Sequence, residues 1–242
     1  MNINWQFLRF PFDGERWTNK VLVGAALGFG AMFFFPLALP VSGYGLRIMR
    51  RTAKGEPPSL PEWDDWGTLI VDGLKLFLVS FVYMLPVLVL LCCTYVLLFG
   101  TAFLPVFMGE SPELLFGSLA AIMAANIIIY PIMGIGILLG LALAFFALVA
   151  TTRMVANDSL ESAFQLREVW RLAKEGFPNY ALAVIVSFGI LFILSTLATA
   201  LGYTLVLACV LPFVYPIVGF YYQALTNALL GAAYYHSQTA AK

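Results

Sequence analysis

The sequence is short of charge, of histidine and of cysteine, and each shortage closes off a class of protein. Only 11% of its 242 residues are charged, against 62% hydrophobic. A soluble domain carries roughly 25% charged and 45–50% apolar residues. This composition leaves too little polar surface to cover a water-soluble core, so lipid must solvate the outer faces. The one histidine, His236, removes multi-histidine metal sites and argues against arrays of histidine-ligated haem. Cys92, Cys93 and Cys209 fall inside apolar runs and read as small buried hydrophobes, not redox or metal groups. The 13 basic and 13 acidic residues cancel, which gives no reason to expect nucleic acid as a partner. Met1 to Trp17 lacks an apolar core followed by small residues, so insertion is expected to use the first membrane helix as an uncleaved signal.

What is present is a series of long apolar runs. Six segments, residues 21–46, 70–104, 113–130, 132–152, 180–201 and 204–235, predict one all-α, polytopic membrane domain over 1–242. The second and sixth exceed a hydrocarbon core of about 30 Å at about 1.5 Å per residue. Pro36, Pro40, Pro86, Pro105, Pro212 and Pro216 lie in the long runs and predict bent helices or half-helices. A Gly109–Glu113 turn divides the second segment from the third, and Gly202 divides the fifth from the sixth.

Lys and Arg positions set the expected topology. Arg47, Arg50, Arg51 and Lys54 form one basic cluster, and Arg153, Arg167, Arg171 and Lys174 form another. These place residues 47–69, 153–179 and the C-terminus in the cytoplasm, with an odd number of crossings over 113–152, from one broken helix or from a short re-entrant piece plus one crossing. The first segment has basic residues on both sides, Lys20 before it and Arg47 after it. A single crossing would put one cluster outside, whereas a re-entrant hairpin turning at Pro36–Pro40 keeps both on one side; the second is slightly favoured. Trp17, Trp66 and Trp170 each stand in a polar stretch leading into an apolar run, a weak repeat. Residues 158–177 read as one amphipathic interfacial helix, with Asp158 capping it and Glu161 completing the pair.

The densest polar motif is Glu62-Trp63-Asp64-Asp65-Trp66, followed by Asp72. Its four acids could form a hard-cation site. The plainer reading is an interfacial turn in which Pro61 starts a helix and the tryptophans anchor it at the headgroups. With the Arg47–Lys54 cluster the same acids could form salt bridges or a docking surface. Deep in the apolar runs lie Asn126, Gln223 and Asn227. Gln223 and Asn227 share a helix face and could line a polar pocket, or simply bond to neighbouring helices. Gly24 with Gly28, Ala26 with Gly30, Gly136 with Gly140 and Ala198 with Gly202 have helix-packing spacing, within a bundle or between protomers. There is no nucleophile–base pair, phosphate loop or metal-ligand spacing, and no clear acid or base inside the spans, where ion-coupled pumps place them.

Phe10-Pro11-Phe12, Trp17, Lys20-Val21-Leu22-Val23-Gly24, Gly43-Tyr44-Gly45-Leu46-Arg47, Leu60 through Trp66 and Asp72-Gly73 resemble the domain-of-unknown-function 4013 family of prokaryotic membrane proteins. The resemblance is clearest over residues 10–90, fainter over 150–235, where Ala163-Phe164 and Asn179-Tyr180 fit, and weak between. It implies a multi-pass protein of a bacterial or archaeal cytoplasmic membrane, with no assigned activity and no catalytic residues to carry over.

The expected function is therefore a non-enzymatic membrane scaffold or accessory subunit, without cofactor or metal. Its expected partners are membrane lipids and further copies of itself or other membrane proteins. A binder or transporter of lipid or a hydrophobic molecule is the alternative. An intramembrane enzyme ranks last, since only the Glu62–Asp72 acids could supply chemistry.

Overall fold

The computed structural model describes residues 5–108, 112–202 and 210–240. Among them the regular structure is entirely helical. The helices are α1 (Trp5–Arg9), α2 (Trp17–Ala31), α3 (Ala38–Ala53), α4 (Trp66–Met108), α5 (Pro112–Asn157), α6 (Leu160–Ala163), α7 (Leu166–Glu175), α8 (Phe177–Gly202) and α9 (Leu211–Ala240). Three contain stretches long and apolar enough to cross a membrane: Trp66–Gly100, Ile122–Asn157 and Phe177–Ala200. The chain is an all-α membrane bundle.

Several boundaries differ from those expected of the sequence. Of the two alternatives for 113–152, the structure has a single helix: both apolar runs lie in the 46-residue α5, with Pro131 inside it. Proline removes one donor, and an apolar surrounding penalises any further loss of backbone hydrogen bonds, so the helix continues through it. Pro86 and Pro105 likewise lie within α4. The 158–177 helix is instead α6 and α7, separated at Phe164–Gln165. Asp158 does not cap: it takes a left-handed φ of 51° and Ser159 precedes α6. Pro61 starts no helix, since the chain from Gly55 to Asp65 is irregular and α4 opens at Trp66. Trp17 and Trp66 each open a helix, whereas Trp170 sits inside α7, so the third repeat does not follow the other two. Cys92 and Cys93 are exposed on α4, not buried; on an apolar span an exposed thiol faces lipid. Cys209, most of the Gly109–Glu113 turn and the start of the 204–235 segment lie outside the described residues.

The chain forms two compact units, one of Met1–Val79 with Leu148–Lys242 and one of Ser80–Ala147. In the second unit the α4 and α5 portions pack antiparallel through small residues. Gly136 lies against Leu90 and Gly140 against Val87.

The first unit is built around α3. Nine of its 16 residues are buried, among them Tyr44, Leu46, Ile48 and Met49. Glycines let two helices, α4 and α9, approach its backbone. Against α4, Phe35 meets Phe77, Leu39 meets Gly73 and Gly43 meets Leu69, so the two run antiparallel. Against α9, Val41 meets Gln223, Gly45 meets Asn227 and Met49 meets Gly231, so those two run parallel. α2 lies antiparallel to α9, with Gly24 on Phe220 and Gly28 on Pro216. The Gly24/Gly28 and Gly136/Gly140 pairs thus pack helices within the chain.

The first apolar segment is a helical hairpin. The chain reverses between Met32 and Leu37, through a 3-10 turn at Phe35–Leu37. Pro36 lies in that turn and Pro40 in the first turn of α3. The arms have 15 and 16 residues, about 22–24 Å each, short of a core of about 30 Å.

The tightest approach is at Gly43 and Gly73, where a methyl group would run into the backbone carbonyls of Leu69 and Leu39. Backbone cannot rotate away as a side chain can. Gly43→Ala or Gly73→Ala is expected to destabilise the chain by about 1–3 kcal/mol, read as a lower Tm in detergent. Gly189, with nothing within 4 Å of its added methyl, should accept alanine without loss.

Candidate functional site

The polar motif of the sequence folds back as a docked loop. Trp63 stacks on Tyr44 of α3 with ring centroids 4.1 Å apart, and on Trp66 at 5.7 Å. Its Nε1–H donates to the Lys20 carbonyl of α2 at 2.9 Å. Tyr44, buried, donates its hydroxyl to the Pro61 carbonyl at 2.8 Å. Lys20 Nζ donates to the Leu60 carbonyl at 2.9 Å and pairs with Glu62 at 2.8 Å. The loop therefore grips both arms of the hairpin at their polar end.

The acids lie over the cations they neutralise. Lys20 and Arg47 side chains are 13% and 16% exposed, while Glu62 and Asp64 are largely exposed. Arg47 pairs with Asp64 and also reaches Asp65. Glu62 thus meets Lys20, while Asp64 and Asp65 share Arg47. Asp72 stands apart, its side chain only 4% exposed, held by Arg50 at 3.2 Å and Lys75 at 3.4 Å. Arg50 also reaches Asp158 at 2.9 Å and so bridges the start of α4 to the turn after α5. The six motif residues do not converge on one point, and among the described residues no group of three His, Cys, Asp or Glu is arranged to hold a metal ion.

The deep amides belong to different units, Asn126 to the second and Gln223 and Asn227 to the first. Asn126, in the second unit, donates to the Ile122 carbonyl of its own helix at 2.8 Å. Asn227 does the same toward the Gln223 carbonyl at 2.8 Å. Gln223 alone crosses helices, donating to the Val41 carbonyl at 3.0 Å. It also lines a mostly apolar cleft of about 370 Å³ between α2, α3 and α9, floored by Gly24, Gly28, Pro216 and Phe220. A second, polar cavity of about 720 Å³ opens among the ends of α5, α7 and α9, beside Arg153, Asn157 and Tyr234. The sequence does carry a signal for it: Arg153 and Asn157, like Tyr234 and Gln238, are polar residues four apart at the ends of apolar helices.

Three largely uncovered apolar spans and a glycine-packed hairpin gripped by a polar loop define a helical membrane protein. The chain belongs to the family described as protein of unknown function DUF4013, whose model matches residues 26–203. The match runs through the middle of the chain, where the motif resemblance is weak, and begins after the Phe10–Gly24 motifs. No curated protein and no solved structure matches the chain.

Trp63→Ala removes the stack and the bond to Lys20, and is expected to lower stability by about 3–5 kcal/mol and expose the 55–65 stretch to protease. Asp64→Asn touches an exposed pair and should change stability by about 0–1 kcal/mol. Asp65 adds a pH dependence: hydrogen bonds from the Thr68 hydroxyl and amide hold its carboxyl below the usual carboxylate range. A lowered folded-state value means the contribution is present at neutral pH and is lost as pH falls through that value. Thr68→Val should bring the Asp65 titration, followed by NMR, back toward the ordinary range.

Proposed function

We propose that this chain is a non-enzymatic scaffold or accessory subunit of a membrane assembly, associating through its long apolar helices. The observation that carries the reading is how little of those helices the chain itself covers. The most apolar window of Trp66–Gly100 is 6% buried, and those of Ile122–Asn157 and Phe177–Ala200 are 17% buried. Such faces are solvated by lipid or by other helices. Gly134 on α5 and Gly189 on α8 have open space at their faces, where a second helix could approach closely. The acids and bases within these spans sit toward their ends, Asp72 and Lys75 near the start of the first and Arg153 near the end of the second; their middles carry none, which supports a role without chemistry.

In this reading the protein is multi-pass in the cytoplasmic membrane of a bacterium or archaeon, as the family resemblance implies. The hairpin of α2 and α3 dips into the membrane from the cytoplasmic side. Its tip supports this, since Met32, Phe33, Phe34 and Phe35 are all strongly exposed, Phe33 at 80%. An apolar tip of that kind suits lipid and not water.

A second reading, the binding of lipid or a hydrophobic molecule, is favoured by the cleft of about 370 Å³ beside Gln223. Its lining of glycine, proline and phenylalanine fits an acyl chain, with Gln223 and Ser42 as polar contacts.

The chain reconstituted in lipid nanodiscs should run as an oligomer or carry a co-purified membrane protein, and Gly134→Leu or Gly189→Leu should weaken that association without lowering Tm. A strict monomer that retains no partner would overturn the scaffold reading. For the second reading, Gly28→Leu fills the cleft and should reduce lipid retained through purification, measured by mass spectrometry.

A further inference from the structure

The polar cavity of about 720 Å³ is formed by three helix ends of the first unit. α5 supplies Arg153 and Asn157, α7 supplies Glu168, Arg171 and Glu175, and α9 supplies Tyr234. Within α5 and α7 these residues recur every three or four positions, so each helix turns one polar face to the space. Close packing fixes the walls. Tyr180 at the start of α8 shares a buried hydrogen bond of 2.9 Å with Thr152 of α5. Gly176, between α7 and α8, lets Ser237 of α9 approach too closely for any side chain there.

The charges in the cavity are unevenly satisfied. Arg171 pairs with Glu168 on its own helix. Arg153 donates instead to neutral oxygens of Gln165, at 2.6 Å to the side chain and 3.5 Å to the backbone. Among the described residues, no carboxylate lies within 4.0 Å of the Arg153 guanidinium and no base within 4.0 Å of the Glu175 carboxylate. One cavity therefore holds a cation and an anion, on different helices, neither of them in an ion pair among the described residues.

Its depth follows from the neighbouring helices. α7 ends at Glu175 and the apolar span Phe177–Ala200 begins two residues later. Leu166, Trp170 and Phe177 are exposed among charged neighbours, the pattern of a helix lying at the membrane–water boundary. The cavity opens at headgroup level.

We propose that this cavity binds a zwitterion carrying a phosphate ester and a primary ammonium, as in the headgroup of an ethanolamine phospholipid. Arg153 takes the phosphate, because a guanidinium offers paired donors to its oxygens. Glu175 takes the ammonium, and Tyr234 and Asn157 line the space between with polar groups. A purely anionic headgroup would satisfy Arg153 but leave Glu175 facing like charge. The site is distinct from the apolar cleft beside Gln223, and it stands whether or not the chain is a scaffold.

The test uses the full chain, delipidated in detergent, with binding read by native mass spectrometry. The probes are phosphatidylethanolamine, phosphatidylglycerol and soluble glycerophosphoethanolamine. Phosphatidylethanolamine should bind about tenfold more tightly than phosphatidylglycerol, and Glu175→Gln should remove most of that preference. Arg153→Gln should weaken both lipids, with Arg153→Lys restoring part of the loss. Glu175 is exposed, so its variant should keep the parent Tm and decides the matter even if Arg153→Gln unfolds. Gly28→Leu, in the other cleft, should leave the preference intact. Equal binding of the two lipids, or an unchanged preference in Glu175→Gln, would overturn the proposal. Soluble glycerophosphoethanolamine binding as tightly as the lipid would overturn the membrane source and assign the site to a free zwitterion.

Discussion

The stack of Trp63 on Tyr44 fixes one end of the hairpin. A single indole joins three pieces of chain that are far apart in sequence: the loop that carries it, the α3 ring beneath it and the Lys20 carbonyl of α2. An aromatic pair in this geometry contributes more than its buried area alone. The indole N–H is satisfied by a carbonyl, as a partly buried donor requires. Once that contact exists, Tyr44 reaches Pro61, Lys20 reaches Leu60 and the acids fall beside the bases. The ion pairs are consequences of the dock. Exposed on one side, they are too weak to create it.

α3 shows a division of labour within the helices. It is the most closely surrounded helix, yet it is not among the three apolar enough to span. The spans expose most of their surface, because lipid solvates them as well as another apolar helix would. α3 carries Arg47, Arg50 and Arg51 at one end, so it needs protein around it: Asp64 and Asp65 for the first, Asp72 and Asp158 for the second, Ser59 for the third. Its glycines, and those facing it on α4 and α9, allow backbones to meet where larger residues would hold them apart.

Two cavities of the first unit follow from the same packing. The apolar one beside Gln223 exists because glycines on α2 leave space next to Pro216 and Phe220. The polar one exists because α5, α7 and α9 end close together with charged and hydroxyl side chains turned inward. One lies against apolar helix faces and the other at a boundary rich in charge. A lipid molecule offers both kinds of surface. The acids of the 62–72 motif, by contrast, are each engaged by a base.

Composition alone determined the solvent of this protein. With 62% hydrophobic residues in long runs, helices in lipid are the economical solution, and three such spans are present. Basic residues on both sides of the first run allowed a single crossing or a turn back, and the helices of that run reverse beside Pro36. The sequence misled where a local signal met a stronger long-range one. Asp158 has the residue type of a helix cap, but Arg50 draws it into an ion pair from more than a hundred positions away. Pro61 suits a helix start, but its carbonyl is held by Tyr44 and the chain there stays irregular. Gln223 and Asn227 share a face, yet only tertiary packing decided that one amide crosses to α3 and the other folds onto its own helix. Hydrophobicity and helical period are additive along the chain and can be read from it. The partner of a buried polar group depends on which backbones come within a few ångströms, and glycines such as Gly43, Gly73 and Gly231 settle that only once the helices have met.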